Sequence, residues 1–364
     1  MEANSYPTNT GSSNSSNEDT GIAGVNLGFG FCKLVLDGQE DSFMSVLTPL
    51  SKGAEGLSSR KVSPINVVEG DDGRQYEVGI DGVFATTGEP MKVQSRSWGR
   101  TRHYRLLMGA VLNRLAATGK RRWLIVTGLA ADHYRDAAYR EDVAQMWKGI
   151  NGCHHTRFGV VEVLAVRVLP ETAGGFYQLM ANKELNALVR TSTGAVLDFG
   201  RMTVNWLPFR RDQTDGNRMG SVDTGVSNVL AEATKWLRSD ACNPTLHPLE
   251  VEAALIGTHP IYKLVNGSGS AQPASRQVSL DISLAKAVMQ VWPEIERALV
   301  GALGDLRGKL LIGIGGGARI FGDALKEAFP DSTIVLPEDA QMANARGLYG
   351  LARLAAARKQ EAVS

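Results

Sequence analysis

Apolar positions along the chain fall into short runs closed by glycine-rich turns, with a few longer stretches at helical spacing. An apolar lead-in from Ile22 runs into Val25-Asn26-Leu27-Gly28-Phe29-Gly30-Phe31-Cys32-Lys33. Leu34-Val35-Leu36 follows, and then the turn pair Asp37-Gly38. That order predicts strand, tight glycine turn, strand. Residues 43–50 read as a further strand and 51–63 as a polar loop. Residues 65–68 and 75–80 flank Glu69-Gly70-Asp71-Asp72-Gly73, which predicts another hairpin. Residues 101–118 place Tyr104, Leu107, Met108, Val111 and Leu112 on one helical face. A short strand over 123–127 and a helix over 133–150 come next. Residues 157–169 alternate as a strand, with a slip between Ala165 and Val166 that predicts a bulge. Leu169-Pro170-Glu171-Thr172-Ala173-Gly174-Gly175 ends that strand and opens a helix.

The second half repeats the grammar. Val196-Leu197-Asp198-Phe199-Gly200-Arg201-Met202-Thr203-Val204-Asn205-Trp206 has the layout of the first hairpin, about half the chain further on. Internal similarity at that distance predicts two related lobes. A polar loop over 210–218 precedes a helix over 223–238, interrupted early by Gly225, and a short helix over 248–256. Residues 279–303 carry apolar positions at helical spacing, with Pro293 expected to kink or divide the helix. A strand over 310–314 runs into Gly315-Gly316-Gly317-Ala318 and a helix over 319–329. A strand over 333–336 and a last helix over 340–358 complete the pattern. That last helix sets Arg346, Arg353 and Arg358 beside Leu348, Leu351 and Leu354. Packing on the first lobe accounts for this better than a membrane surface does, because its apolar side lacks a large aromatic cluster.

Composition narrows the class. Hydrophobic residues make up 43% and charged residues 21% of 364, ordinary for a globular chain of two domains or one bilobed unit. Lys and Arg number 39 against 38 Asp and Glu, so no basic field argues for direct nucleic-acid binding. Cys32, Cys153 and Cys242 are odd in number and far apart, which fits a reducing compartment. Cys153-His154-His155 lacks a second ligand cluster at a zinc-like spacing and reads as structural or surface. No apolar run approaches the ~20 residues of a membrane span. Residues 1–20 are rich in Ser, Asn and Thr and carry no base, which predicts a disordered tail rather than a secretory signal, and hence a cytoplasmic protein.

The glycine turns carry the candidate chemistry. Gly28 and Gly30 can take positive φ and leave room beside the backbone. A turn of that kind aims several N–H groups at one spot, a nest for an anion such as phosphate, although an ordinary hairpin explains the pattern too. The second copy at Gly200 favours the anion reading, since each lobe would then offer one hairpin to a shared ligand. A glycine run at a helix start, 315–317, lets a ligand lie against backbone N–H groups. Glu171, at a strand-to-helix junction, either faces a ligand cleft or stabilises the helix start through its dipole.

The paired hairpins, the Gly-Gly-Gly-Ala segment and the later Ala343-Asn344-Ala345-Arg346-Gly347 resemble actin-like ATPases of the ParM/StbA plasmid-segregation group. The middle of the chain also resembles the actin-like protein of plasmid-borne PRTRC systems. The resemblance covers roughly residues 21–357. It implies an α/β, two-lobed actin-like ATPase fold of the actin, Hsp70 and sugar-kinase superfamily, with duplicated domains and a nucleotide cleft between them. Residues 21–192 plus 340–358 would form one lobe and 193–339 the other. ATP with Mg²⁺ would lie between them. Gly28, Phe29 and Gly30 would offer N–H groups from one side, and Gly200, Arg201 and Met202 from the other. Lys33 resembles the lysine that approaches the phosphate tail. Asp198 resembles the carboxylate that holds magnesium waters, with Asn26 acting through water. Glu171 stands where the group carries a residue that orients the attacking water. Gly315, Gly316 and Gly317 would line the adenosine, and Gly225 would approach the nucleoside.

The resemblance further implies self-assembly into filaments, a DNA-binding adaptor protein as partner and a role in plasmid or mobile-element segregation. Two positions depart from the group's pattern: Asn26 and Asn205 stand where Asp is expected. A neutral amide leaves hydrolysis in question while backbone-based nucleotide binding survives. Two other readings stay open, a non-hydrolysing nucleotide-bound scaffold and a small-molecule kinase of the same superfamily.

Overall fold

The computed structural model describes residues 19–50, 62–79, 97–241, 243–265 and 274–361. Most of the expected tail, most of the polar loop over 51–63, Ile80, Asp81 and Cys242 lie outside them.

The first half builds one six-stranded sheet and one small one. Its strands are β1 (Thr20–Leu27), β2 (Phe31–Leu36), β3 (Gln39–Met44), β4 (Leu47–Pro49), β5 (Val67–Glu69), β6 (Gln75–Val78), β7 (Arg122–Leu129), β8 (Cys153–Thr156) and β9 (Gly159–Pro170). Its helices are α1 (Arg102–Ala117), α2 (Ala131–Arg135), α3 (Ala137–Lys148), α4 (Glu171–Ala181) and α5 (Lys183–Thr191). The second half adds β10 (Thr193–Phe199), β11 (Val204–Arg210), β12 (Gln213–Thr214), β13 (Gly220–Val222), α6 (Val226–Asp240), α7 (Pro248–Leu255), β14 (Tyr262–Val265) and β15 (Ala274–Gln277). It then runs through α8 (Asp281–Leu303), β16 (Leu310–Ile314), α9 (Ala318–Ala328), β17 (Thr333–Val335) and α10 (Ala343–Glu361).

The two large sheets share a plan. The first runs β3-β2-β1-β7-β9-β8 and the second β12-β11-β10-β16-β17. In each, the opening hairpin is antiparallel and the next strands are parallel to its first strand. Hence Asn26 lies opposite Lys33 in one hairpin, and Asp198 opposite Asn205 in the other. The central strand β16 reads as an unbroken apolar run because both its faces are covered; every residue of it is buried. α10 returns from the second half to pack on β1 and α4, and its Leu348 and Ala352 bury against Val126 of β7 and Leu169 of β9.

Several local expectations change. The expected strand over 43–50 is the end of β3 followed by the separate β4, and β3 itself begins at Gln39. Its first four residues are exposed and polar, so no hydrophobic alternation marks them. The expected helix over 133–150 is two, because Asp136 caps the second by accepting from Tyr139 N at 3.1 Å. Gly225 does not interrupt α6; it is the residue before the helix. Pro293 does not divide α8, which runs unbroken through it. β9 does shift register, but between Val163 and Ala165, opposite Trp123 and Leu124, and not between Ala165 and Val166 where the alternation slips. Thr20, assigned to the tail, belongs to β1 and pairs with Arg122.

Candidate functional site

The two hairpin turns face each other across a cavity. Its lining includes Asn26, Gly28, Phe29, Gly30 and Lys33 from the first half and Asp198, Gly200 and Arg201 from the second. Glu171, Gly316 and Gly317 complete the predicted residues that it brings together. Met202, Gly225 and Gly315 are not in its lining. Met202 instead accepts from Ser227 Oγ through its sulfur, at 3.3 Å. Gly225 is glycine for packing, since a Cβ would come within 2.7 Å of the Gly200 and Arg201 carbonyl oxygens.

The turns are built alike. Gly28 N–H donates to Phe31 O at 3.2 Å and Gly200 N–H to Thr203 O at 2.9 Å. Gly28 and Gly200 therefore close the turns and do not offer their N–H groups to a ligand, which corrects that expectation. The next two N–H groups in each turn, of Phe29 and Gly30 and of Arg201 and Met202, find no partner among the described residues. Nor do Gly28 and Gly30 adopt positive φ. Gly30 is needed because Arg201 Cβ would stand 3.0 Å from an added Cβ.

The glycine run divides its roles. Gly315 has φ 86°, and a Cβ there would meet Asp198 Oδ1 at 2.2 Å. Gly317 is hemmed by Val226 and Phe199. Their N–H groups are taken by Ala340 O and Phe199 O, both at 2.9 Å. Only at Gly316 does an added Cβ meet nothing nearer than Gln341 Cγ at 4.0 Å. The expectation that all three glycines line a ligand narrows to Gly316 with Gly317 behind it.

Acidic chemistry gathers at one end. β9 stops at Pro170 and α4 starts at Glu171, so the carboxyl sits on the first helical residue. Gly128 leaves it room, since a Cβ there would come within 2.9 Å of Glu171 Cγ. Glu171 and Asp198 are neighbours, and each influences the other's protonation. Burial, then the neighbouring Asp198, pushes the Glu171 carboxyl up to about 8, with Lys33 opposing. Burial also raises Asp198, against the pull of Lys33 and the Asn344 amide. Asn344 Nδ2 donates to Asp198 Oδ2 at 2.7 Å, and its Oδ1 accepts from Gly175 N at 3.1 Å. A single amide on α10 thus ties α4 to the end of β10.

The two asparagines behave differently. Asn26 is 1% exposed, and its Oδ1 is a buried acceptor with no hydrogen-bond partner. The Asn205 side chain is already engaged: Oδ1 accepts from Ala131 N at 3.3 Å and Nδ2 donates to Thr203 Oγ1 at 3.1 Å. It joins the halves across the cleft. Among the described residues no group of three or more His, Cys, Asp or Glu could enclose a metal ion. Two carboxyls and an orphaned amide oxygen do fit Mg²⁺, which keeps several of its waters and takes one or two carboxylates.

Sequence reasoning did not single out Asn344, Glu252, Gly128, Trp98 or His133, although each faces or supports this site. Asn344 stood within a quoted segment, but a lone amide in a helix has no spacing that announces its partner. Trp98 donates from Nε1 to Leu27 O at 2.8 Å and packs at a tilt against Phe29, ring centroids 4.6 Å apart, which holds the first turn in place.

No family model matches the chain, and no curated protein matches it. Solved structures do. A 15-stranded ParM filament from Clostridium botulinum is 15% identical with a TM-score of 0.68, over 92% of this chain and 99% of that one. Ta0583, an archaeal actin homologue in complex with ADP, is 18% identical with a TM-score of 0.62 over the same shares, 92% and 99%. The MamK double helical filament is 16% identical with a TM-score of 0.64, again over 92% and 99%. The chain has the actin-like ATPase fold. Within that fold it is similar to ParM proteins and other bacterial and archaeal actin homologues.

Proposed function

We propose that the cleft binds ATP with Mg²⁺ and that the chain is a slowly hydrolysing, filament-forming actin-like protein of plasmid or mobile-element segregation. The observation that carries this reading is the mirrored pair of turns, each with two open N–H groups, on either side of one cavity. Phosphate oxygens satisfy such donors. The ADP complex of Ta0583, which shares this fold, supports a nucleotide as the ligand. The filaments of ParM and MamK support self-assembly of this chain. The adaptor that would couple filaments to DNA, and a cytoplasmic location, belong to the same proposal. So does the division into lobes, 21–192 with 340–358 against 193–339.

Residue roles follow from position. Phe29, Gly30 and Arg201 hold phosphate oxygens through N–H groups, and Lys33 adds a point charge near them. Asp198 and Asn26 face the waters of Mg²⁺, which supplies charge neutralisation when bound. Glu171 orients the attacking water. Phosphoryl transfer to water depends on such positioning and charge more than on covalent help.

A second reading, a nucleotide-bound scaffold that does not hydrolyse, is favoured by one observation. Asn205 spends both ends of its amide on structural bonds where the group's pattern has a carboxylate. Phosphate release separates the two. Turnover with ATP and Mg²⁺, together with filaments in negative-stain micrographs only when nucleotide is present, supports the first. Binding and filaments without release support the second.

A further inference from the structure

One buried ion pair in the cleft stands apart from the carboxyl cluster. Arg201 lies in the second turn and Glu252 on α7, with side chains 9% and 6% exposed. Nη1 of Arg201 donates to Oε1 of Glu252, and both residues line the cavity. The aliphatic stem of Arg201 crosses to the first turn, where Cβ and Cδ would stand 3.0 and 3.1 Å from a Cβ on Gly30. Its backbone is fixed from the other side, because Ser227 N donates to Arg201 O at 2.8 Å. Among the described residues no other hydrogen bond engages the guanidinium.

A guanidinium has five donors in a rigid fork, and Glu252 takes one edge. The other edge remains for an anion, in the gap between the two turns whose N–H groups are open. Desolvating an ion pair is costly, and such pairs are best attested where they set a register or a switch. The carboxylate also offsets the charge of Arg201. The attraction that remains still grows with the charge of the bound anion, which favours the ligand with one more phosphate.

We propose that Arg201 is the cation by which this cleft distinguishes a nucleoside triphosphate from a diphosphate, and that Glu252 is the residue positioning it. This deepens the reading of the cleft as a nucleotide site and rests on it. Glu252 aims the fork, and Arg201 completes the contact through donors that the turns do not supply.

The test is calorimetric titration of the full chain, in Mg²⁺, with ADP and with the non-hydrolysable imido analogue of ATP. The readout is the ratio of the two affinities, which a general loss of stability does not move. Arg201→Met is expected to lower the preference for the triphosphate by about tenfold or more, the scale of a lost charged hydrogen bond. Glu252→Gln keeps an acceptor for Arg201 while removing the opposing charge, so it is expected to raise that preference. Arg201→Lys, a cation without the fork, falls between parent and Arg201→Met. An unchanged ratio in both Arg201→Met and Glu252→Gln, with the parent binding both nucleotides, overturns this inference alone. A parent chain that binds neither nucleotide overturns the nucleotide reading along with it.

Discussion

Gly316 opens on the cavity while its neighbours Gly315 and Gly317 press on protein atoms. The three should respond differently to substitution. Gly316→Asp is expected to abolish binding of a fluorescent ATP analogue with little change in melting temperature, because a carboxylate would meet the ligand and not the fold. Full affinity in the folded variant would take Gly316 out of the site. Asn26 presents a second single-residue case. Its orphaned Oδ1 is shaped for a donor such as a metal-bound water, and an ionised group there would bind that water more strongly. Asn26→Asp should therefore speed phosphate release at matched Mg²⁺. Crowding with Asp198 and Glu171 works against it, so equal or slower release would mean that Asn26 does not limit hydrolysis. Glu171 gives the pH dependence. Its carboxyl is held near 8 in the fold against an ordinary 4.5, so the folded state keeps a proton that the unfolded chain releases. The stability that this contributes is complete below about 4.5 and is lost as pH rises towards 8. Glu171→Gln cannot ionise, and its melting temperature without metal should fall less over that window. Parallel curves for parent and variant would disprove the buried proton.

Among elements, α10 is the piece that the site depends on without contributing to its lining. It packs on β1 and α4, and through Asn344 it holds both Asp198 and the first turns of α4 at Gly175. Asn344→Ala removes a donor from a buried carboxylate and an acceptor from a buried N–H. We expect a loss of about 1–3 kcal/mol of stability, measured by urea unfolding, together with slower turnover. A variant as stable as the parent would show that helix packing alone seats α10. Truncation should respect the strand boundary: removing residues 1–18 spares β1, whereas removing 1–20 takes Thr20 from its pairing with Arg122. The shorter deletion is expected to leave ATP affinity and melting temperature unchanged, and a large drop in either would mean that the segment docks.

At the scale of the whole molecule, the halves share a buried apolar cluster, in which Phe176 and Leu179 pack with Val196, Phe209 and Ile314, and polar contacts join them around the cleft. Asn205 reaches Ala131, the Arg201 stem lies over Gly30, and α10 spans from the second half to the first. Nucleotide bound between the turns would add bonds to both sides at once, which couples occupancy to the relation of the halves. In filaments this predicts that Glu171→Ala, which should bind ATP but hydrolyse it ~10²-fold more slowly, forms polymers that outlast those of the parent. Light scattering after ATP addition measures their lifetime. Polymers that decay at the parent rate would separate disassembly from hydrolysis.

The sequence by itself determined the repeated unit. Two apolar strands around a glycine turn, twice, announce hairpins whatever surrounds them, because strand alternation and turn chemistry are local. The buried parallel strands, the strand-to-helix junction at Glu171 and the break at the triple glycine were legible for the same reason. Tertiary structure decided what each group does with its hydrogen-bonding capacity. That Gly28 and Gly200 spend their N–H groups closing turns, that Asn205 is engaged while Asn26 is not, and that Asn344 and Glu252 reach Asp198 and Arg201 from distant helices depend on contacts between residues far apart in the chain. A polar side chain has no periodicity to betray its partner. Its role is set by which acceptors and donors the fold leaves beside it, and that is known only once the sheets and helices are in place.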